Sequence, residues 1–145
     1  MIILHKISRE DTEVFSRQTK MSASDLEAMI TDSDSGRSHG RYFEAYTVTE
    51  GGRIVGWISL YEHSASVVSL GPEIFGEYRR HGYATKAMQT ALGLARMKGY
   101  RIVCQQVRTD NSASIGLHTK LGFETDQLIF KNRNQNDVFL YLKPI

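Results

Sequence analysis

The chain has 145 residues, enough for one domain and too few for two ordinary ones; 41% hydrophobic and 23% charged residues make a globular rather than a disordered balance. Eighteen Lys and Arg against 16 Asp and Glu leave a net charge of +2, which supplies no general basic field for nucleic acid. The single cysteine, Cys104, excludes an internal disulfide, and no apolar run approaches the roughly 20 residues that cross a bilayer. The opening Met1–Ile7 is too short in apolar length for a secretory signal, with its charge on the wrong side. These features predict a soluble, cytoplasmic protein with neither a nucleic-acid nor a membrane partner.

In chain order, the first predicted element is a strand over Ile2–Ile7. Ser8-Arg9-Glu10-Asp11 then reads as a helix start, with Ser8 as cap and acids in the first turn. A second helix follows Ser22-Ala23-Ser24-Asp25 and carries Leu26, Met29 and Ile30 on one stripe. Thr31–Gly40 is the least patterned stretch and reads as a loop. Two runs rich in aromatic and β-branched residues, Tyr42–Thr49 and Arg53–Tyr61, flank Gly51-Gly52 and predict a hairpin.

Ser66–Phe75 predicts a further strand, and Pro72 within it predicts a bulge or irregular pairing. From Tyr83 to Lys98 the helical period is clear, with Ala84, Ala87, Met88, Ala91, Leu92 and Ala95 on one stripe and Gly99 placed as a C-terminal cap. Arg101–Val107 reads as a strand. Ser112–Leu121 reads as a short helix, capped by Asp110 or Asn111 and ended by Gly122. Phe123–Phe130, a turn through Asn132-Arg133-Asn134, and Val138–Leu142 close the chain as a hairpin. No repeat or linker interrupts residues 1–145, so the reading is a single domain.

The segment Glu77-Tyr78-Arg79-Arg80-His81-Gly82-Tyr83-Ala84-Thr85 joins a strand to the long helix and carries the most chemical information. Helix N-termini bear partial positive charge and unpaired N–H groups, so acids are usual there. Here Arg79, Arg80 and His81 stand in that place, an arrangement that costs a few tenths to about 1 kcal/mol per charge unless an anion binds. Small residues at Gly82 and Ala84 would let backbone approach a diphosphate. A basic turn pointing into water is the other reading of the same residues. Neither a Gly-x-x-x-x-Gly-Lys-Ser/Thr loop nor a Gly-x-Gly-x-x-Gly turn is present.

Arg79-x-x-Gly82-x-Ala84 fits Gln/Arg-x-x-Gly-x-Gly/Ala and so resembles the acetyl-coenzyme A signature of the GNAT N-acetyltransferase superfamily. Downstream, Asn111 to Phe123 resembles that family's second signature, an Asn-led helix ending in Lys-Leu-Gly-Phe. The resemblance covers Val67–Phe123 well and the first sixty residues only by element order. It implies an α/β fold with a mixed, mostly antiparallel, twisted sheet of six to seven strands and about four helices. It further implies acetyl-CoA as cosubstrate, no metal, and transfer to a primary amine of a small molecule or a protein N-terminus by direct attack.

Carried onto this sequence, the resemblance implies that backbone groups at Glu73 and Ile74 bond the pantetheine and stabilise the oxyanion. The amides of Arg80, His81, Gly82, Tyr83, Ala84 and Thr85 would cradle the pyrophosphate, with Arg79 or Arg80 adding charge. Asn111 would touch the pantetheine arm, and His118 would stand near the thioester sulfur. Spacing alone puts Asn111, Ser114 and His118 on one helix face. The strand–helix–strand unit Val67–Phe75, Tyr83–Lys98, Arg101–Val107 would set two parallel strands side by side, which the family splays apart.

Two positions depart from the family pattern. Where many members carry a Tyr as general acid, this chain has His118, which can donate only when protonated; at an ordinary pKa of about 6.5 roughly a quarter would be charged at pH 7. Where some members carry a basic Glu before a Val-Arg pair, Gln106 precedes Val107-Arg108. Glu73 is the replacement candidate for the base, with Glu44, Glu62, His63 or a water chain as further options. These departures motivate an alternative, a non-catalytic acyl-CoA-binding sensor or partner module.

Cys104 reads as a packed small residue, and the five histidines lack metal-ligand spacing. Acceptor selectivity is expected from the two early helices, Thr31–Gly40 and the terminal hairpin. Both a monomer and a homodimer fit the sequence.

Overall fold

The computed structural model describes residues 1–145. Its strands are β1 (Ile2–Lys6), β2 (Arg37–Ser38), β3 (Arg41–Glu50), β4 (Arg53–Glu62), β5 (Val67–Ile74), β6 (Ile102–Arg108), β7 (Phe130–Lys131) and β8 (Asp137–Pro144). Its α-helices are α1 (Thr12–Gln18), α2 (Ala23–Ser35), α3 (Tyr83–Met97) and α4 (Ser112–Lys120). The strands form one sheet in the order β1-β3-β4-β5-β6-β8-β7, with β2 beside β3. Every pair is antiparallel except β5–β6. The expected α/β architecture with four helices is therefore present, and two two-residue strands bring the strand number to eight.

Strand alternation divides the molecule into two cores. One face of the sheet gives Val48, Ile58, Leu60, Val68, Leu70 and Val103 to the stripe Ala87, Met88, Ala91, Leu92 and Ala95 of α3. On the other face Ala45 packs with Ile7, Phe15, Leu26, Ile30 and Phe75, so that α1 and α2 are seated there. Each large apolar side chain so buried contributes about 1.5–3 kcal/mol relative to exposure. The Gly51-Gly52 hairpin is as expected: both residues have positive φ, 58° and 77°, which a two-residue turn of this hand needs.

Three expectations are corrected. First, Thr31–Gly40 is not a loop, because α2 runs on to Ser35 and Arg37–Ser38 pairs with β3. The Thr-Asp-Ser-Asp-Ser run has weak helix propensity, but buried Ser33 docks it: its hydroxyl accepts from Ala45 N at 2.9 Å, and Gly36 ends the helix at φ 73°.

Second, Pro72 causes no bulge, and β4 and β5 keep one register from Gly56–Ile74 to Glu62–Val68. Phe75 N–H bonds across to Val55, whereas Leu70 N–H bonds away from β4, so by the two-residue period position 72 also faces away. A missing N–H there costs the β4 ladder nothing. The register shift lies instead between Val48 and Thr49 on β3.

Third, Phe123–Phe130 is mostly not a strand. Only its two ends pair, Glu124 through an isolated bridge to Leu142 and Phe130, at the start of β7, with Val138 of β8. Thr125 Oγ1 and Asp126 Oδ1 then capture the amides of Gln127 and Leu128 at 3.2 and 2.9 Å. Such local bonds compete with a ladder.

Candidate active site

Between β5 and β6 the sheet opens. Backbone pairing holds only at Val67–Ile102 and Val68–Val103. At the next two rungs side chains take over: Ser69 Oγ donates to the Cys104 carbonyl at 2.8 Å, and Leu70 N–H donates to Gln105 Oε1 at 2.9 Å. Beyond them the strands part around a cleft of about 760 Å³.

The cleft gathers most of the residues singled out from the sequence. From β5 come Glu73 and Ile74, from the turn Arg79 and Arg80, from the start of α3 Gly82 to Thr85, and from α4 Asn111, Ser114 and His118. His81 is the exception. Its Nδ1–H donates to the Tyr78 carbonyl at 3.1 Å and its ring stacks on Tyr83, 5.5 Å between centroids, so it braces the turn from outside.

The start of α3 has no side-chain cap and no acid in its first turn, so its amides carry no protein anion. Arg80 and Gly82 both adopt left-handed backbone, φ 68° and 77°. A Cβ at Gly82 would meet nothing within 4 Å, so glycine is needed there for its φ rather than for close approach. Arg79 Nε donates to the Ile74 carbonyl at 3.1 Å, tying the turn to the end of β5.

Alternation along β5 also sorts Glu73 from Ile74. Glu73 turns its backbone groups toward β4, whereas those of Ile74 face the cleft. The Glu73 side chain is exposed at the rim. Gly56, opposite Ile74, is a glycine because a Cβ would collide with Glu73 O and Ile74 Cα.

On α4, Asn111 is the cap: its Oδ1 accepts from Ser114 N at 3.1 Å, leaving the amide nitrogen free. Asp110 is instead paired with Arg108 at 3.0 and 2.7 Å. His118 is 1% exposed, between Phe123 and Tyr141 at 4.9 and 5.7 Å between centroids. Its Nδ1 lies 2.7 Å from the Ser114 carbonyl, an acceptor only, so Nδ1 carries the proton.

That leaves Nε2 bare, buried and without a partner in the protein. Desolvation holds the His118 pKa below its ordinary value, outweighing the bond to Ser114. The partly protonated imidazole expected from a free pKa is therefore replaced by a neutral ring that presents an acceptor.

A second cavity of about 470 Å³ touches the first, and Gly71 and Gln105 line both. Around it stand Tyr61, His63, Ser69, Cys104 and Arg133. His63 Nε2 lies 2.5 Å from Ser69 Oγ, whose own proton goes to Cys104 O, so the imidazole is the donor. Burial first, then Arg41, lowers the His63 pKa. Sequence reasoning missed Ser69 and Gln105. The signal was there in Gln105-Gln106, two amides within a strand that a parallel pairing should make continuously apolar.

The residues fit a ligand with a diphosphate at one end and a reactive sulfur at the other. Uncapped amides and two arginines meet the first, the open edge of β5 meets an amide-bearing arm, and the His118 Nε2 lies at the inner end.

The Acetyltransferase (GNAT) domain model matches residues 3–124. No curated protein sequence matches the chain. Among solved structures, the Salmonella typhimurium acetyl transferase that modifies the N-terminal serine of ribosomal protein L7/L12 superposes with a TM-score of 0.83 at 14% identity, over 99% of this chain and 95% of that one. Spermidine N-acetyltransferase from Vibrio cholerae, in complex with CoA and spermine, gives 0.82 at 15% identity over 99% and 95%. A GNAT family acetyltransferase from Elizabethkingia anophelis with acetyl-CoA bound gives 0.69 at 13% over 99% and 98%. At these identities the likeness speaks for the fold, and the family match over residues 3–124 makes the assignment: the chain belongs to the GNAT acetyltransferase family.

Proposed function

We propose that this chain transfers an acetyl group from acetyl-CoA to a primary amine, and that the amine approaches from the sheet face opposite the cofactor arm. The observation that carries this reading is the pair of cavities joined at Gly71 and Gln105, where the two strands separate. A nucleophile in one and a thioester in the other can meet only at that junction, which supplies the orientation such a reaction needs.

Acetyl-CoA, when bound, brings the activated acyl carbon; the chain holds and orients it. The α3 amides with Arg79 and Arg80 receive the diphosphate, and Asn111 Nδ2 and the Ile74 backbone bond the arm. His118 Nε2, bare in the resting ring, would take up a proton lost by the adding nitrogen and pass it to the departing sulfur. Glu73, whose carboxylate has no hydrogen-bond or ion-pair partner in the protein, stands as the base that takes the amine proton, directly or through water.

The lining of the second cavity contains no carboxylate and includes Arg133. That composition disfavours a polycation and favours an amine of low charge. An α-amine with a pKa near 7.7–8.0 needs less help to become neutral than a lysine near 10.4. The proposed acceptor class is thus the α-amine of a peptide N-terminus or of an amino-acid-like molecule.

Calorimetry with acetyl-CoA, followed by thiol release with peptides, amino acids and polyamines, tests the proposal. Binding together with thiol release that depends on an α-amine supports it. Binding without release for any amine replaces it with the acyl-CoA sensor reading, and absence of binding removes both.

A further inference from the structure

We infer that the Gln105 side-chain amide is the hydrogen-bond donor for the reacting carbonyl oxygen, in place of a backbone N–H that Pro72 removes. The inference rests on the transferase reading and adds a catalytic residue to it.

The backbone donors of β5 toward the cleft can be counted. Leu70 N–H is taken by Gln105 Oε1 at 2.9 Å. Pro72, next on that side, has no N–H. Ile74 is the next donor. At about 3.3 Å per residue, the strand thus offers no free N–H to the opening over about 13 Å. Gly71, where the two cavities meet, lies within that stretch, next to Pro72.

The oxygen that gains charge as the amine adds to the acyl carbon would therefore lack a backbone partner where it needs one. Gln105 supplies it. Leu70 N–H can only donate, so the oxygen of the Gln105 amide is the end that faces it, which fixes Nε2 on the other side.

Nε2 makes no hydrogen bond in the protein and is not buried, and the residue lines both cavities. The Leu70 bond holds the amide plane in advance, which is what makes such a donor effective. In the reaction the amine nitrogen forms the C–N bond, and the C–S bond breaks with its electron pair leaving on sulfur. One amine proton is released to the base, and the carbonyl oxygen is charged only in between.

Gln105→Glu is the discriminating variant, since its carboxylate still accepts from Leu70 N–H but cannot donate while ionised. At pH 8 its kcat is expected to fall about 100-fold, the usual cost of one such donor. Affinity for CoA without an acyl group should change little. Pro72→Ala, which returns an N–H to the strand, should act weakly alone yet recover about 10-fold of kcat in Gln105→Leu.

Infrared spectra of bound acetyl-CoA give a readout independent of turnover. The thioester carbonyl band should sit lower in wild type than in Gln105→Glu. An unchanged band, or a folded Gln105→Glu with kcat within about two-fold of wild type, overturns the inference. Wild type that binds acetyl-CoA but releases no thiol with any amine sinks the transferase reading instead, and the carbonyl band still judges Gln105.

Discussion

The two cavities that meet at Gly71 and Gln105 are built by different means. The larger one is made from a contiguous turn and two helix starts: amides at the N-terminus of α3, left-handed backbone at Arg80 and Gly82, and the Asn111 cap of α4. The smaller one is made from side chains of β4, β5, β6 and the turn before β8. Backbone donors at a helix start can serve only a ligand of fixed shape and charge. Side chains drawn from four distant segments can each be exchanged without disturbing the fold, so under the proposed function acceptor choice is free to vary while the cofactor side stays put.

The sharpest way to break this division is His118, which lines the larger cavity with a bare Nε2 and to which the proposed function gives a part in the chemistry. His118→Ala should lower kcat about 100-fold, within the usual range for a positioned proton acceptor, while acetyl-CoA affinity stays within about three-fold. Equal losses in both, measured by steady-state kinetics and calorimetry, would assign the ring to packing between Phe123 and Tyr141.

Arg80 tests whether the cofactor turn trades stability for binding. A non-glycine residue at φ 68° carries a strain of about 1–2 kcal/mol, offset in a glycine by a larger loss of chain entropy. Arg80→Gly should therefore leave thermal stability equal or raised by up to about 1 kcal/mol. CoA affinity should fall about 10-fold, as loss of one charge-assisted bond requires. A variant that is less stable and binds as before would contradict both halves.

The contrast also explains what could be read from the chain alone. Arg79-x-x-Gly82-x-Ala84 and Asn111 to Phe123 were legible because a left-handed turn into an uncapped helix and an Asn-capped helix are local features with local residue requirements. The core stripe of α3 was legible for the same reason, through its 3.6-residue period.

Ser69 was not legible, and the out-of-place Gln105-Gln106 pair marked a strand without saying what its amides do. Their role arises where the parallel ladder stops after Val68–Val103, and nothing local marks the rung at which a ladder stops. The neutrality of His118 was hidden too, because it depends on Phe123 and Tyr141 closing over the ring. The harmlessness of Pro72 needed the knowledge of which side of β5 faces a neighbour.

At the smaller cavity, Arg133 is held in a turn that Asn132 organises, its Oδ1 accepting from the amides of Asn134 and Asn136 at 3.0 Å each. Arg133→Ala should raise KM about three- to ten-fold for amines that carry a carboxylate, in line with loss of one exposed charged contact. KM for uncharged amines and acetyl-CoA affinity should hold. A uniform change across all amines would separate Arg133 from acceptor choice.

The smallest effect is on stability against pH, and it checks the state of His118 without any ligand. In the unfolded chain its pKa is about 6.5, while burial lowers it in the folded one. Below pH 6.5 the unfolded chain therefore takes up a proton that the folded chain does not. The neutral ring's contribution is full above about pH 6.5 and is lost as pH falls toward the lowered folded value, with a slope of at most about 1.4 kcal/mol per pH unit.

His63, also lowered, acts with the same sign but is exposed, so solvent weakens its share. The lowered carboxylates Glu44, Glu50 and Asp110 act mainly below pH 5 and lie outside the window. Around His118 stand the Phe123 and Tyr141 rings and Ser114, and it makes no ion pair, so no charged partner reverses the sign. Urea unfolding at pH 5.5, 6.5 and 7.5 should show wild type losing stability on acidification more steeply than His118→Asn. Parallel slopes for the two would mean that the folded protein admits a proton at Nε2, and His118 would then regain the role of an acid.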